Sequence, residues 1–230
     1  MSTYINKKLK TITTNVKLFF GVSILIASGL LFAQPANDIQ SLSDNWAYVN
    51  FELEGDAQEE AFTKLILEAN KLKVTDSERA SVWTWSGIIN SSFAGAKGGL
   101  GALSYAKQAK KDLEKAIELD PNALAGSAYT SLGVLFHKVP GWPIAFGDDD
   151  DAEILLKKGL DNNPKGKISN FFYGEFLFDE GKYHQAKKHL LIAKQAPLRT
   201  NSLIADKHRQ IEIENLLSKV ERKIAKKSKR

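Results

Sequence analysis

The stretch KISNFFYGEFLFDEGKYHQAKKHLLIAKQAPLRT, residues 167–200, decides the fold. Apolar and polar residues alternate in it with a period near 3.6, and no period-two run is long enough for a strand. Gly181 breaks the pattern in the middle and Pro197 ends it, so the stretch divides into two helices joined by a tight turn. Gly174 and Ala186 are small, as two closely crossing helices require, and Leu190 and Ala193 are expected to face the next helix along the chain.

The same spacing recurs upstream. Leu132, Gly133 and Phe136 match the first helix, and Ala152, Leu156, Gly159 and Pro164 match the second. One unit earlier, Trp83, Gly87 and Asn90 precede Ala109, Leu113, Ala116 and Pro121. Gly174 to Ala186 is twelve residues, Gly133 to Ala152 nineteen, and Gly87 to Ala109 twenty-two. Two adjacent units therefore carry insertions at the same topological point. A degenerate first unit uses Trp46, Phe51, Gly55, Ala61 and Leu65, although Ala69 fits a frame one residue off. Beyond Pro197, the segment 203–224 reads as one long helix that turns Ile204, Ile211, Leu216, Leu217, Val220 and Ile224 toward the core.

Tyr173-Gly174, Leu177, Gly181, Tyr183, Ala186, Leu190, Ala193 and Pro197 resemble the tetratricopeptide repeat (TPR), a helix–turn–helix unit of about 34 residues. The resemblance covers roughly residues 40–200 and implies an all-α, TPR-like right-handed α-solenoid closed by a C-terminal capping helix. A narrower likeness lies in GSAYTSLGVLFHKVPGWPIAFGDDDDAEILLKKGL, residues 126–160. Its Pro-Gly loop before an Ala-Glu-x-Leu-Leu-Lys-Lys helix resembles periplasmic TPR proteins related to the T component of TRAP-type solute transporters. This implies an exported, non-catalytic accessory protein whose partner is an extracytoplasmic solute-binding protein. The other reading is a general periplasmic adaptor that binds extended peptide segments during envelope assembly.

Charge separates the chain into three parts. The 230 residues carry a formal charge of +5 and a sequence pI of about 9.1, values that invite a nucleic-acid reading. Residues 1–33 hold four lysines and no acid, and residues 219–230 hold seven bases and one acid. The body between them has 21 bases and 26 acids, so the fold itself is acidic and nucleic acid is disfavoured as a partner. The basic tail could touch anionic lipid headgroups or simply be solvated. With no cysteine, the chain has no thiolate catalysis, no disulfide framework, no Cys-ligated metal and no lipidated N-terminal Cys.

Residues 18–32, LFFGVSILIASGLLF, form an uncharged run behind the basic start and before Ala33-Gln34-Pro35. This is the layout of a signal peptide over 1–33 cleaved after Ala33, with an uncleaved anchor as the alternative. A periplasmic helical repeat domain over 34–200 and a capping helix with basic tail over 201–230 would follow.

The candidate sites lie in the loops and on the first helix of each unit. In the insertion Pro140–Asp151, Trp142, Ile144 and Phe146 are large apolar groups on a short loop stiffened by two prolines. They form either a rigid knob gripping a partner or ligand, or a plug between helices. Asp148–Asp151 either cap the following helix or ligate Ca²⁺, although the alternating calcium-loop spacing is missing. Gly95–Gly101 lacks the strand and the Lys-Ser/Thr of a phosphate loop and reads as a flexible surface loop. The concave face is expected from Thr84, Ile88 and Ser91; Thr130, Val134 and His137; and Phe171, Glu175 and Phe178. No motif calls for a cofactor, and the four histidines form no H-E-x-x-H pair and no triad.

Overall fold

A computed structural model describes residues 35–228, so the expected leader over 1–33 lies outside the described residues. Within them the chain is all-α. Four helix pairs follow one another: α1 (Pro35–Glu52) with α2 (Gly55–Thr75), α3 (Ala80–Lys97) with α4 (Gly99–Leu119), α5 (Ser127–Lys138) with α6 (Asp149–Asn162), and α7 (Lys167–Asp179) with α8 (Tyr183–Gln195). The long α9 (Leu203–Lys227) ends the series. Extended pairing among the described residues is limited to one isolated bridge, Gly141 to Gly147. None of the described helices is long and apolar enough to cross a membrane.

Three of the pairs cross at the glycines singled out by spacing. A methyl group placed on Gly87 would lie 2.5 Å from Leu113 Cγ, on Gly133 2.8 Å from Leu156 Cγ, and on Gly174 2.9 Å from Leu190 Cγ. In each case the carbonyl of the small residue four positions before the leucine, Ala109, Ala152 or Ala186, lies 3.1 to 3.4 Å away. Close approach of two backbones needs a residue without Cβ at the contact, and the leucine of the second helix fills the groove beside it. Leu190 packs on Gly174 inside its own pair and shares one buried core with Ile213, Leu216 and Leu217 of α9.

The two insertions take different forms. Where prolines stand in the extra residues, at Pro140 and Pro143, the helix stops and a loop over 139–148 results. Where they contain only glycine and alanine among good helix formers, the helices lengthen instead. α3 and α4 run 18 and 21 residues against 13 each for α7 and α8. They meet at Gly98, whose φ of 61° lies in the left-handed region that favours glycine. The expected Gly95–Gly101 loop is therefore a single-residue pivot between two helices.

In the first pair, Phe62, Leu65 and Ala69 are buried while Ala61 is only half-buried. The frame containing Ala69 is the one the chain adopts. At the C-terminus α9 buries Ile213, Leu216, Leu217 and Val220, whereas Ile211 is 57% exposed and Ile204 also faces out. The expected apolar stripe is thus rotated: Ile213, not Ile211, meets α8.

Packing proceeds from α2 to α3, α4 to α5 and α6 to α7, with α1, α3, α5 and α7 adjacent to one another and α9 laid on α8. α9 also reaches back to α1. Gln40 Nε2 donates to the Asn201 carbonyl at 2.7 Å, His208 Nε2 meets Glu52 at 2.8 Å, and the His208 ring stacks on Phe51 at 4.9 Å. The last helix therefore contacts the first, a closure the repeat spacing does not announce. Buried polar groups hold the layers in register. Asp112, fully buried, accepts from Lys73, Ser86 and Gln108, tying α2, α3 and α4 together. Lys167 Nζ donates to the Ala193 carbonyl and to Gln210 Oε1, joining α7, α8 and α9, and burial pushes its pKa down.

Candidate functional site

The inner helices and α9 surround a cavity of about 990 Å³. Each helix contributes one stripe at helical spacing: Ile39, Ser43, Trp46 and Asn50 from α1, and Trp85, Ile88 and Ser92 from α3. α5 adds Ser127, Ser131, Val134 and Lys138, α7 adds Ile168 and Phe172, and α9 adds Ala205 and Arg209. Leu100 and Ile144 also line it and are 86% and 64% exposed, so they mark its mouth. Leu124, another rim residue, is carried there on a turn (Ala123–Gly126) whose backbone holds Leu124 and Ala125 at φ 48° and 55°, a strained region for residues with a Cβ.

Of the residues expected on the concave face, Ile88, Ser91 and Val134 line the cavity. Thr84, Thr130 and Phe171 do not, and the reason is common to all three. Each stands three residues before the crossing glycine, and that position turns into the packing between helices. Thr84 is fully buried and its hydroxyl donates to the Ala80 carbonyl at 2.9 Å. Thr130 packs against Gly159, where an added methyl would fall 2.2 Å from Thr130 Oγ1. Phe171 is buried in the core of the last two pairs. The next residue in each helix, Trp85, Ser131 and Phe172, faces the cavity instead, one residue being about 100° of helix rotation.

Glu175 lies beyond the end of its stripe, 3.6 Å from Lys138 Nζ, and Phe178 packs against Tyr183 at 5.6 Å between ring centres. His137 lies away from the cavity and works as a brace. Its Nδ1 meets Asp149 at 2.6 Å, its Nε2 meets Asp179 at 3.0 Å, and Phe176 packs edge-on against the ring. It so ties the end of α5 to the start of α6 and the end of α7. Burial pushes the Asp179 carboxyl up, but hydrogen bonds from His137 and Lys138 outweigh it and leave the pKa below its ordinary value.

The loop over 139–148 packs one of its aromatic residues and exposes the other. Phe146 packs edge-on against Phe136 at 5.4 Å and plugs the gap between helices. Trp142 is 89% exposed, and Ile144 sits at the cavity mouth. Asp148 caps α6, its Oδ1 accepting from the amides of Asp150 and Asp151 at 3.0 Å each. Among the described residues no group of three His, Asp or Glu side chains is placed to hold a metal ion.

The cavity wall is largely apolar, with serine hydroxyls and three cations, Lys138, Arg199 and Arg209. Asp, Glu and His are all missing from the described residues that line it. Trp85, Phe172, Arg199 and Arg209 went unmarked in the sequence reading. The first two could have been found by moving the frame one residue, but Arg199 stands behind the closing Pro197 and Arg209 beyond the repeat, and neither carries a spacing signal. No protein-family model and no curated protein matches the chain.

Proposed function

We propose that the chain is an exported, non-catalytic, TPR-like helical protein that takes a solute into the cavity between its inner helices. It serves as an accessory of a TRAP-type uptake system, with an extracytoplasmic solute-binding protein as partner. The observation that carries this reading is the cavity itself: about 990 Å³, at the upper end of the roughly 300–1,000 Å³ typical of small-molecule sites, with apolar walls and few polar groups. The TPR-like reading draws support from the glycine–leucine crossing repeated at Gly87, Gly133 and Gly174.

The alternative, an adaptor that binds extended peptides, needs an open groove. α9 lies against α1 through Gln40, Asn201, Glu52 and His208, and this closure disfavours a segment threading along the inner helices. Affinity purification from envelope extracts, with bound proteins identified by mass spectrometry, separates the two. Enrichment of a solute-binding protein is expected. Enrichment of envelope-assembly clients and unfolded segments alone would replace the first reading with the second.

A further inference from the structure

Arg209 is the least satisfied ion in the cavity wall. Its side chain is 11% exposed, sits over Phe171 and Phe172 with the guanidinium carbon 4.5 and 4.6 Å from the ring centres, and meets Glu212 through Nη1 at 2.5 Å. Its Nε–H is buried without an acceptor, and burial pushes its pKa down. That Nε–H lies below the cavity surface, and the accessible part of the guanidinium, which lines the cavity, is where an anionic ligand would pair with it.

The other two cations of the wall are already engaged. Arg199 binds the buried Asp206 through Nε and Nη2, and Lys138 binds Asp179 and Glu175. The carboxylates that balance these cations, Asp206, Glu212, Glu175 and Asp179, all stay off the cavity lining. A ligand in the cavity therefore meets cations, hydroxyls and apolar surface, and no negative charge. Trp46 and Trp85 add apolar ring surface to the lining, their ring centres 5.6 Å apart, with the Trp46 indole N–H already donated to Ser92.

We infer that the cavity takes an amphiphile with a single anionic head, seated at Arg209, and an apolar body lying against Trp46, Trp85, Ile88 and Val134. This rests on the solute-binding reading above and specifies the chemistry of its ligand. The planar guanidinium, fixed by two phenyl rings, presents donors in the fork that a carboxylate or phosphate head accepts. A cationic amphiphile of the same length would place its head against three like charges, and a neutral one would leave Arg209 with Glu212 as its one ion partner.

The test follows tryptophan fluorescence of the full chain titrated with decanoate, decanol and decylamine, since Trp46 and Trp85 line the cavity. Decanoate is expected to bind saturably at least tenfold more tightly than decanol, and decylamine more weakly than either. Arg209→Met, which keeps the packing on Phe171 and Phe172, is expected to remove that tenfold preference while leaving decanol affinity unchanged, and Arg209→Lys to keep part of it. Should Arg209→Met not fold, the three ligands on the unaltered chain still decide the matter. Equal binding of decanoate and decanol would overturn the anionic-head inference and leave the cavity reading standing. Saturable binding of none of the three would overturn both.

Discussion

The crossing glycines can be tested by adding one methyl group to each. In Gly87→Ala the new Cβ would sit 2.5 Å from Leu113 Cγ, 2.7 Å from its Cδ2 and 3.2 Å from the Ala109 carbonyl oxygen, and Leu113 is fully buried. Carbon atoms in contact prefer about 3.5–4.0 Å, so the fit is about 1 Å short, and overpacking of this kind costs about 1–3 kcal/mol. Alanine in place of a mid-helix glycine returns about 1 kcal/mol of backbone entropy. The net expectation is a loss of up to about 2 kcal/mol. Gly133→Ala should lose as much, because the new Cβ meets backbone, Leu156 N at 3.0 Å and the Ala152 oxygen at 3.1 Å, which cannot rotate aside. Gly174→Ala should be close to neutral, because its two closest contacts, at 2.9 and 3.0 Å, are Leu190 side-chain atoms and the Ala186 oxygen is 3.4 Å away. Urea denaturation followed by helical circular dichroism reads all three. A double-mutant cycle adds a sharper check: Leu113→Ala removes the obstacle, so Gly87→Ala in that background should cost at least 1 kcal/mol less than alone. If Gly87→Ala and Gly133→Ala both came out about 1 kcal/mol more stable than the parent, the close crossing of these helices would be refuted.

Three further outcomes are expected. Burial of His189, whose Nδ1 donates to Asn170 Oδ1 at 3.0 Å, holds its pKa below the ordinary 6.5. As pH falls below 6.5 the unfolded chain gains a proton that the folded one refuses, so stability drops toward the lower folded value. His189→Gln should flatten that part of the pH–stability curve, and an unchanged slope would reject the assignment. Trp142→Ala should leave the melting temperature within the scatter of surface changes, about 0.5 kcal/mol, while Phe146→Ala should cost about 2 kcal/mol through its lost burial and its contact with Phe136. Equal effects in thermal melts would contradict the division of the loop into an exposed and a plugging residue. N-terminal sequencing of the exported protein should begin at Gln34, and an intact Met1 would point to a retained anchor.

The helix pairs were legible because their determinants are local and repeated. A small residue twelve to twenty-two positions before an alanine, a leucine four residues on, and a proline four or five beyond the next small residue mark a crossing and a stop wherever they occur. The fate of the insertions was less legible, since a glycine-rich run such as Gly95–Gly101 reads as loop until neighbouring packing extends both helices into it. The cavity face was missed by one residue at Thr84, Thr130 and Phe171. Apolar and small polar residues stand on both sides of these inner helices, so periodicity gives the helix and leaves its rotation to the partners. Arg209 and the closure of α9 on α1 were not legible at all. The closure depends on residues more than a hundred positions apart meeting, as in the Gln40–Asn201 and Glu52–His208 contacts, and Arg209 on its seat over Phe171 and Phe172, and no repeat carries that information.

The most direct test of the account is whether the inner helices enclose a site for an apolar solute, independent of any head-group charge. Titration of the full chain with the neutral fluorophore N-phenyl-1-naphthylamine measures this. The predicted result is saturable one-to-one binding with enhanced emission, abolished by Ser131→Trp, which fills the cavity from α5, and unaffected by Trp142→Ala on the exposed loop. Emission that does not saturate, or that persists unchanged when Ser131 is replaced by tryptophan, would contradict it.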